Sequence, residues 1–319
     1  MERWPNLLSN DVELSTLTGR LLILLFAISL EHILSINASY HPGSLWKFIA
    51  IKLARKSKLR PPKQQQISGM LGAITLFTFS LIITYALLSF ATYPWFFEAI
   101  FLLLVIKSTP LIKNCKTIYI QLNKGKKSLA REQLSDVCIR DTQSLSTMGV
   151  IKSCIEGTIQ QFSLRYFIPI VVYLVGGAYF LVFYGLTISL AQYWNPKTKY
   201  YRFFGKDVNA IKDIITLPFH CLLAVLIAVL FGFKHLSLKR NSWHRFGTGA
   251  LLATTARAMN RELGGAVIYD DIKKRRPKIG TTIKPTLNDL KDLSRLMTRL
   301  RQSIVLLIAM FTLTTLLLP

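Results

Sequence analysis

The chain has 319 residues, of which 51% are hydrophobic and only 18% are charged. With a mean hydropathy of +0.37, it is more apolar than a typical soluble domain, in which about a quarter of the residues are charged. The formal net charge of +24 fits two classes of protein: those that bind nucleic acid and those with basic loops beside a membrane. The basic residues lie between apolar tracts and accompany no base-stacking or DNA-reading motif. We therefore expect a lipid bilayer as a partner and no nucleic acid.

Apolar tracts, taken in chain order, set the expected architecture. They cover residues 21–36, 67–91, 95–112, 166–191, 214–233 and 303–319. About 20 mostly apolar residues cross a bilayer as a helix, and no strand pattern is visible between the tracts. The predicted fold class is therefore an all-α polytopic integral membrane protein with about five to six apolar segments and two cytoplasmic helical regions. We expect a multi-pass protein of a bacterial inner membrane.

The distribution of charge divides the chain into five segments. Residues 1–113 hold N-terminal transmembrane segments with a basic loop, and residues 114–165 form a cytoplasmic helical region. Residues 166–233 hold central membrane segments with a basic loop. Residues 234–302 form a basic cytoplasmic region, and residues 303–319 form a C-terminal membrane segment.

The topology of the two central tracts has two solutions. The positive-inside rule places the regions 114–165 and 234–302 in the cytoplasm. If tracts 166–191 and 214–233 both cross the membrane, the loop 193–213 lies outside despite its basic residues. If both tracts are re-entrant, that loop is cytoplasmic as well.

Several polar positions have a structural interpretation beside a functional one. Glu31 interrupts the first apolar tract and is either a functional intramembrane acid or an interface residue beside His32 and His41. From its position in the sequence alone, we interpret Asp141 as a helix N-cap or a partner of Arg140. Glu156 lies on the polar stripe of an amphipathic helix, which is usually the solvated side. The pair 264–265 fits a helix C-cap.

General catalytic signatures are absent from the sequence. There is no phosphate-binding P-loop, no G-x-G-x-x-G and no H-E-x-x-H. The four cysteines lack metal-ligand spacing, which predicts reduced structural thiols. They are Cys115, Cys138, Cys154 and Cys221.

An ordered series of short motifs is more specific than any one of them. The series is Glu31, His41-Pro42, Gly125-x4-Ala130-Arg131, Arg140-Asp141-Thr142, Gly149-x6-Glu156, Pro169, Gly176-Gly177, Tyr201-x-x-Phe204-Gly205, Asp213, Leu263-Gly264-Gly265, Tyr269 and Arg276-Pro277-Lys278-Ile279-Gly280. In this order the motifs resemble the CbiB/CobD family of cobalamin-biosynthesis membrane proteins over nearly the whole chain.

The resemblance implies an amide-forming ligase. Its reaction would attach an aminopropanol group, or its phosphate, to a propionate carboxylate of cobyric acid, giving cobinamide or cobinamide phosphate. It implies a corrinoid and an amino alcohol as partners, and ATP and Mg²⁺ as cofactors, with ATP activating the carboxylate as an acyl phosphate. The implied catalytic residues are Asp141, Glu156 and Asp213. The implied substrate-binding residues are Arg140, Thr142, Tyr201, Gly264, Gly265 and Arg276.

Departures from the family pattern support a second hypothesis. Gln160 and Leu164 stand where the family has acids, and Ile188-Ser189-Leu190-Ala191 replaces its L-D-S-M block. Because Mg²⁺ is held by carboxylates, these losses weaken the prediction of catalysis. The run Phe162–Pro169, followed by Gln192-Tyr193-Trp194, resembles the AmpE-type membrane proteins. That resemblance implies a non-catalytic membrane sensor or scaffold.

Overall fold

The structure is a computed structural model that describes residues 17–33, 43–57, 59–138, 140–238, 246–270 and 272–317. Its helices are α1 Leu17–Ile33, α2 Gly43–Ser57, α3 Pro62–Phe90, α4 Pro94–Val105, α5 Thr109–Asn123, α6 Lys127–Ser135, α7 Thr147–Phe162, α8 Ile168–Tyr193, α9 Lys206–Phe231, α10 Phe246–Ala258 and α11 Asp289–Leu317. Its strands are β1 Glu262–Gly264, β2 Val267–Tyr269, β3 Ile272–Lys274 and β4 Lys278–Gly280. His41 lies outside the described residues.

The predicted fold class is confirmed. Among the residues that the structure describes, five helical stretches are long and apolar enough to cross a membrane: Pro62–Phe90, Pro94–Asn123, Thr147–Tyr193, Lys206–Phe231 and Asp289–Leu317. Exposed large apolar side chains along α3 and the second half of α11, such as Phe79, Ile82, Leu307 and Phe311, form the surface that a bilayer would cover. The last apolar tract, which we expected to begin at residue 303, is the second half of the single helix α11.

Two expectations about the basic region between α10 and α11 are wrong. This region contains strands, although none was expected. β1 pairs with β4 and β2 pairs with β3, both antiparallel. Gly264 and Gly265 form no helix C-cap, because α10 has already ended at Ala258 and Gly264 is the last residue of β1. Each strand has only three residues, which is too short to produce a recognisable alternation.

The longest apolar stretch folds back on itself. α7 continues through a π-helical turn, Ser163–Phe167, into α8. The hydroxyl of Tyr184 nevertheless donates to the carbonyl of Leu164 at 2.8 Å, although twenty residues of straight helix would separate them by roughly 30 Å. The reversal occurs at Gly177, where φ is 65° and ψ is −158°, a conformation open only to glycine. Residues 163–193 therefore form a helical hairpin with both ends on one side.

The tip of this hairpin is capped from another helix. The guanidinium of Arg20 on α1 donates to the carbonyls of Leu174 at 3.3 Å and Val175 at 3.5 Å. These carbonyls end the first arm of the hairpin and have no partner in the next helical turn, because the helix breaks at Gly177. A cation is favourable at a helix C-terminus, so Arg20 stabilises the reversal.

The segment after the hairpin also returns to its starting side. α9 begins beside the hairpin, where Lys212 lines the same cavity as Arg276. After α9 and α10, the chain reaches Gly264, whose N–H contacts Glu156 at that cavity. These two return paths agree with the re-entrant alternative. They place the loop 193–213 on the same side as α5 to α7 and the strands.

In this fold, Glu31 connects two helices through hydrogen bonds. Its carboxylate is buried and accepts four hydrogen bonds of 2.9–3.1 Å from the N–H and hydroxyl groups of Ser108 and Thr109. These donors lie at the first turn of α5, where backbone N–H groups lack helical partners. Glu31 therefore joins the end of α1 to the start of α5.

Candidate functional site

Glu156 is the centre of a buried ionic cluster. It projects from the stripe of α7 that we expected to face solvent, but its side chain is 5% exposed. One of its oxygens, Oε2, lies 2.9 Å from Arg276 Nη2 and 3.3 Å from Arg140 Nη2. Its Oε1 accepts a hydrogen bond of 2.7 Å from the N–H of Gly264. Both oxygens are thus occupied by protein donors, and the cluster has one more positive charge than negative charge.

The glycine pair and Arg276 belong to one structural unit. Arg276 Nε donates to the carbonyl of Gly265 at 3.1 Å, while its guanidinium reaches Glu156. Gly264 has a φ of +81°, and a Cβ there would lie 2.3 Å from the carbonyl oxygen of Pro277. Only glycine permits this approach. The motifs 263–265 and 276–280 include the paired strands β1 and β4, and together they enclose one carboxylate.

A second ionic group fixes β1 on α7. Glu262 lies 2.5 Å from Lys152 Nζ and 3.0 Å from Lys278 Nζ. The hydrogen bond from Lys152, followed by that from Lys278, outweighs burial and lowers the pKa of Glu262. Lys152 and Glu156 are one helical turn apart, so α7 holds the strand region at two points.

A cavity of about 150 Å³ opens beside the Glu156 cluster. Its wall is formed by both arms of the helical hairpin, the loop after it, the start of α9 and the strand region. Its polar lining consists of Cys138, Arg140, Glu156, Gln160, Gln161, Gln192, Asn195, Lys197, Lys212, Tyr269 and Arg276. Four of these are cations and one is a carboxylate, so the cavity favours an anionic ligand.

Several predicted site residues lie outside this lining. Asp141 caps its own turn, since its carboxylate accepts from Gln143 N at 2.9 Å and from Ser144 Oγ at 3.1 Å. It is neither a helix N-cap nor the partner of Arg140, which pairs with Glu156; Ser146 caps α7 instead. The Asp141 N–H does contact the carbonyl of Ile268 on β2 at 3.2 Å.

Thr142, Tyr201 and Asp213 are also not part of the cavity wall. Thr142 is buried in the turn that precedes α7. Tyr201 packs on Tyr200 and on the cluster of apolar side chains around Trp194. Asp213 forms an ion pair of 3.0 Å with its neighbour Lys212, and it is Lys212 that lines the cavity.

The amide side chains of the cavity were not predicted as site residues. Gln160 and Gln161, at the end of α7, line one cavity with Gln192 and Asn195 because of the reversal at Gly177. The only sequence signal for this arrangement was the glycine pair in the middle of a charge-free tract. Without the reversal, these amides would be far apart.

The thiol in the cavity wall is a protonated group. Burial raises the pKa of Cys138, although Arg140 partly offsets this effect. The thiol contacts the carbonyl of Ser153 at 3.3 Å. Since the thiolate is the nucleophilic form, Cys138 is suited to packing and not to nucleophilic attack.

The arrangement of these motifs agrees with comparisons to known proteins. The family model described as CobD/Cbib protein matches residues 24–297. The chain belongs to the CobD/Cbib family. This match includes α7, the hairpin and all four strands.

Relatives of this CobD/Cbib family member are distant in sequence, but their names agree with the family match. The "Cobalamin biosynthesis protein CobD" of Chromobacterium violaceum is 28% identical over 204 residues, which cover 62% of this chain and 65% of that protein. The protein of the same name from Leptospira interrogans is 25% identical over 230 residues, covering 68% and 73%. The match thus spans just under two thirds of the Chromobacterium protein. No solved structure matches the chain.

The cavity of this CobD/Cbib family member fits phosphate better than it fits a protein-held metal ion. Within the described ranges, no group of three or more His, Cys, Asp or Glu side chains is placed to hold a metal ion. Glu156, the carboxylate in the cavity wall, already binds two guanidiniums and a backbone N–H. Lys197 and Lys212, by contrast, add cations that could contact phosphate oxygens.

Proposed function

We propose that this protein acts in cobalamin biosynthesis and joins an aminopropanol group, or its phosphate, to a propionate carboxylate of cobyric acid. The observation that carries the proposal is the convergence of Arg140, Glu156 and Arg276 at one cavity, with Gly264 bound to Glu156 behind the cavity wall. These residues come from three separate stretches of the chain. Membership of the CobD/Cbib family and the names of the relatives support the same pathway.

The small volume of the cavity limits which parts of the substrates can bind inside it. A volume of about 150 Å³ is below that of a typical small-molecule pocket, roughly 300–1,000 Å³. It accommodates a carboxylate arm and a small amino alcohol, but not a corrin ring. The ring would lie outside, beside the exposed basic residues 273–275.

The chemistry requires an activated carboxylate. A carboxylate and an amine do not condense in water, and ATP, when bound, supplies the phosphoryl group that activates the acid. Lys197 and Lys212 would hold the phosphate oxygens. Glu156 is a positioning residue in this proposal, because it fixes Arg140 and Arg276 beside the carboxylate. No step is assigned to Mg²⁺, since the carboxylate in the wall is already occupied.

Purified protein in detergent tests the proposal. With ATP, a corrinoid acid and an amino alcohol, we expect phosphate release only when both organic substrates are present. Lys212→Gln removes one charge-assisted contact, which is worth about 1.5–3 kcal/mol, and so lowers kcat/KM by about 10- to 100-fold. Lys206→Gln, on an exposed part of the same helix, is the matched control.

The same assay separates the enzyme from the AmpE-like alternative. The replaced family acids favour a membrane sensor or scaffold, which would release no phosphate in response to the two substrates. Equal kcat/KM values for the Lys206 and Lys212 variants would contradict the cavity assignment. Rescue of a corrinoid-requiring strain by Glu156→Ala would contradict the positioning role of Glu156.

A further inference from the structure

A second surface of the molecule combines an apolar floor with a rim of cations. It is an open groove of about 550 Å³ between α5 and the first half of α11. Tyr119 and Ile120 of α5 supply part of the floor, and most of the lining surface is apolar. It shares no lining residue with the cavity beside Glu156. The proposed reaction therefore does not account for it.

The rim of this groove is strongly basic. Lys116, Lys291, Arg295 and Arg299 all line it, and all four residues are exposed. The ammonium of Lys291 lies 4.7 Å from the centre of the Tyr119 ring. Arg295 pairs with Asp292 at 3.1 Å, but both side chains are more than half exposed, so water screens this pair. The rim keeps a positive potential.

The groove lies next to the surface that would face lipid. Leu306 and Leu307 begin a strongly exposed apolar face on the same helix. Arg299 precedes Leu306 by seven residues, which correspond to about 10 Å along a helix. The end of the groove at Arg299 therefore lies about 10 Å from the lipid-facing surface, at the depth of lipid headgroups.

We propose that this groove binds an anionic phospholipid. The glycerol backbone lies at the bilayer end of the groove, and the headgroup extends over the apolar floor, where its phosphate contacts the rim, chiefly Lys291 and Arg299. Inorganic phosphate satisfies the cations but leaves the apolar floor without a matching surface. The lipid satisfies both features, and it reaches the groove laterally from the bilayer.

The test is lipid retention by the full chain, measured by native mass spectrometry from detergent micelles. We expect the protein to retain phosphatidylglycerol in preference to phosphatidylcholine. Each surface cation contributes about five-fold to the attraction of an anionic lipid, so the double variant K291Q/R299Q should lower the preference by roughly 30-fold. The charge-matched control K124Q/K126Q alters exposed lysines that do not line the groove and should keep the preference.

Each other outcome would overturn the proposal. An equal loss in both double variants would mean that only the overall charge matters. Equal retention of the two lipids by the unchanged protein would mean that the groove does not select anionic lipid. Displacement of phosphatidylglycerol by soluble glycerol phosphate or a non-hydrolysable ATP analogue, at equal concentration, would mean that the site recognises phosphate alone. These measurements use no corrinoid, so their failure is distinct from failure of the proposed reaction.

Discussion

Replacing Glu156 by glutamine should destabilise the protein more than any surface substitution of the same kind. The change is nearly isosteric, but it leaves Arg140 and Arg276 facing each other without the intervening negative charge. The side chains concerned are only 5–8% exposed, so solvent screening is weak. Removing one partner of a buried ion pair costs about 3–5 kcal/mol.

The expected loss is large enough to measure by thermal unfolding in detergent micelles. At roughly 2 °C per kcal/mol for a large domain, Tm should fall by about 6–10 °C. Glu132→Gln, an exposed change on α6, provides the control and should stay within about 1 °C. A Tm for Glu156→Gln that equals that of the control would refute the reasoning that this carboxylate holds α7 and the strand region together.

Two further changes probe the strand region by the same measurement. Gly264→Ala should destabilise the protein more than Gly265→Ala, by about 1–3 kcal/mol. Both residues have positive φ, but a Cβ at Gly264 meets a backbone carbonyl at 2.3 Å whereas Gly265 has open space; equal losses would contradict this account. Glu262→Gln should reduce the acid sensitivity of Tm. The pKa of Glu262 is lower in the folded state, so its contribution is present above its unfolded pKa of about 4.3 and is lost as the pH falls through the folded value. Retention of the full pH dependence by this variant would show that the contacts with Lys152 and Lys278 do not govern it.

The order of motifs predicted the composition of the ionic cluster better than its geometry. Arg140, Glu156 and Arg276 were singled out, and they meet. Asp141 lies next to Arg140 in sequence, but its carboxylate caps a local turn, and the spacing of short motifs does not specify side-chain direction. The polar stripe of α7 indicated a solvated face. Its burial depends on the strand region, which lies more than 100 residues later and is therefore invisible to local periodicity.

The sequence pattern also did not predict the reversal at Gly177. A charge-free apolar tract has the same hydropathy profile whether its helix crosses a membrane or turns back. The profile therefore does not distinguish the two arrangements. The identity of Gly176-Gly177 allowed a break, but contacts between the arms demonstrate that they lie side by side: Tyr184 donates to Leu164 and Arg165 donates to Gln192. The composition of the cavity follows from these contacts. For this reason, its amides were missed while its arginines were found.

The cap that Arg20 forms on the hairpin tip has a consequence for biosynthesis. A helical hairpin that ends within a hydrocarbon layer cannot leave its terminal carbonyls unsatisfied. Leu174 and Val175 obtain their donor from the first described helix, which the ribosome makes long before the hairpin emerges. Because α1 precedes the hairpin in the chain, the donor for these carbonyls has already been made when the hairpin emerges.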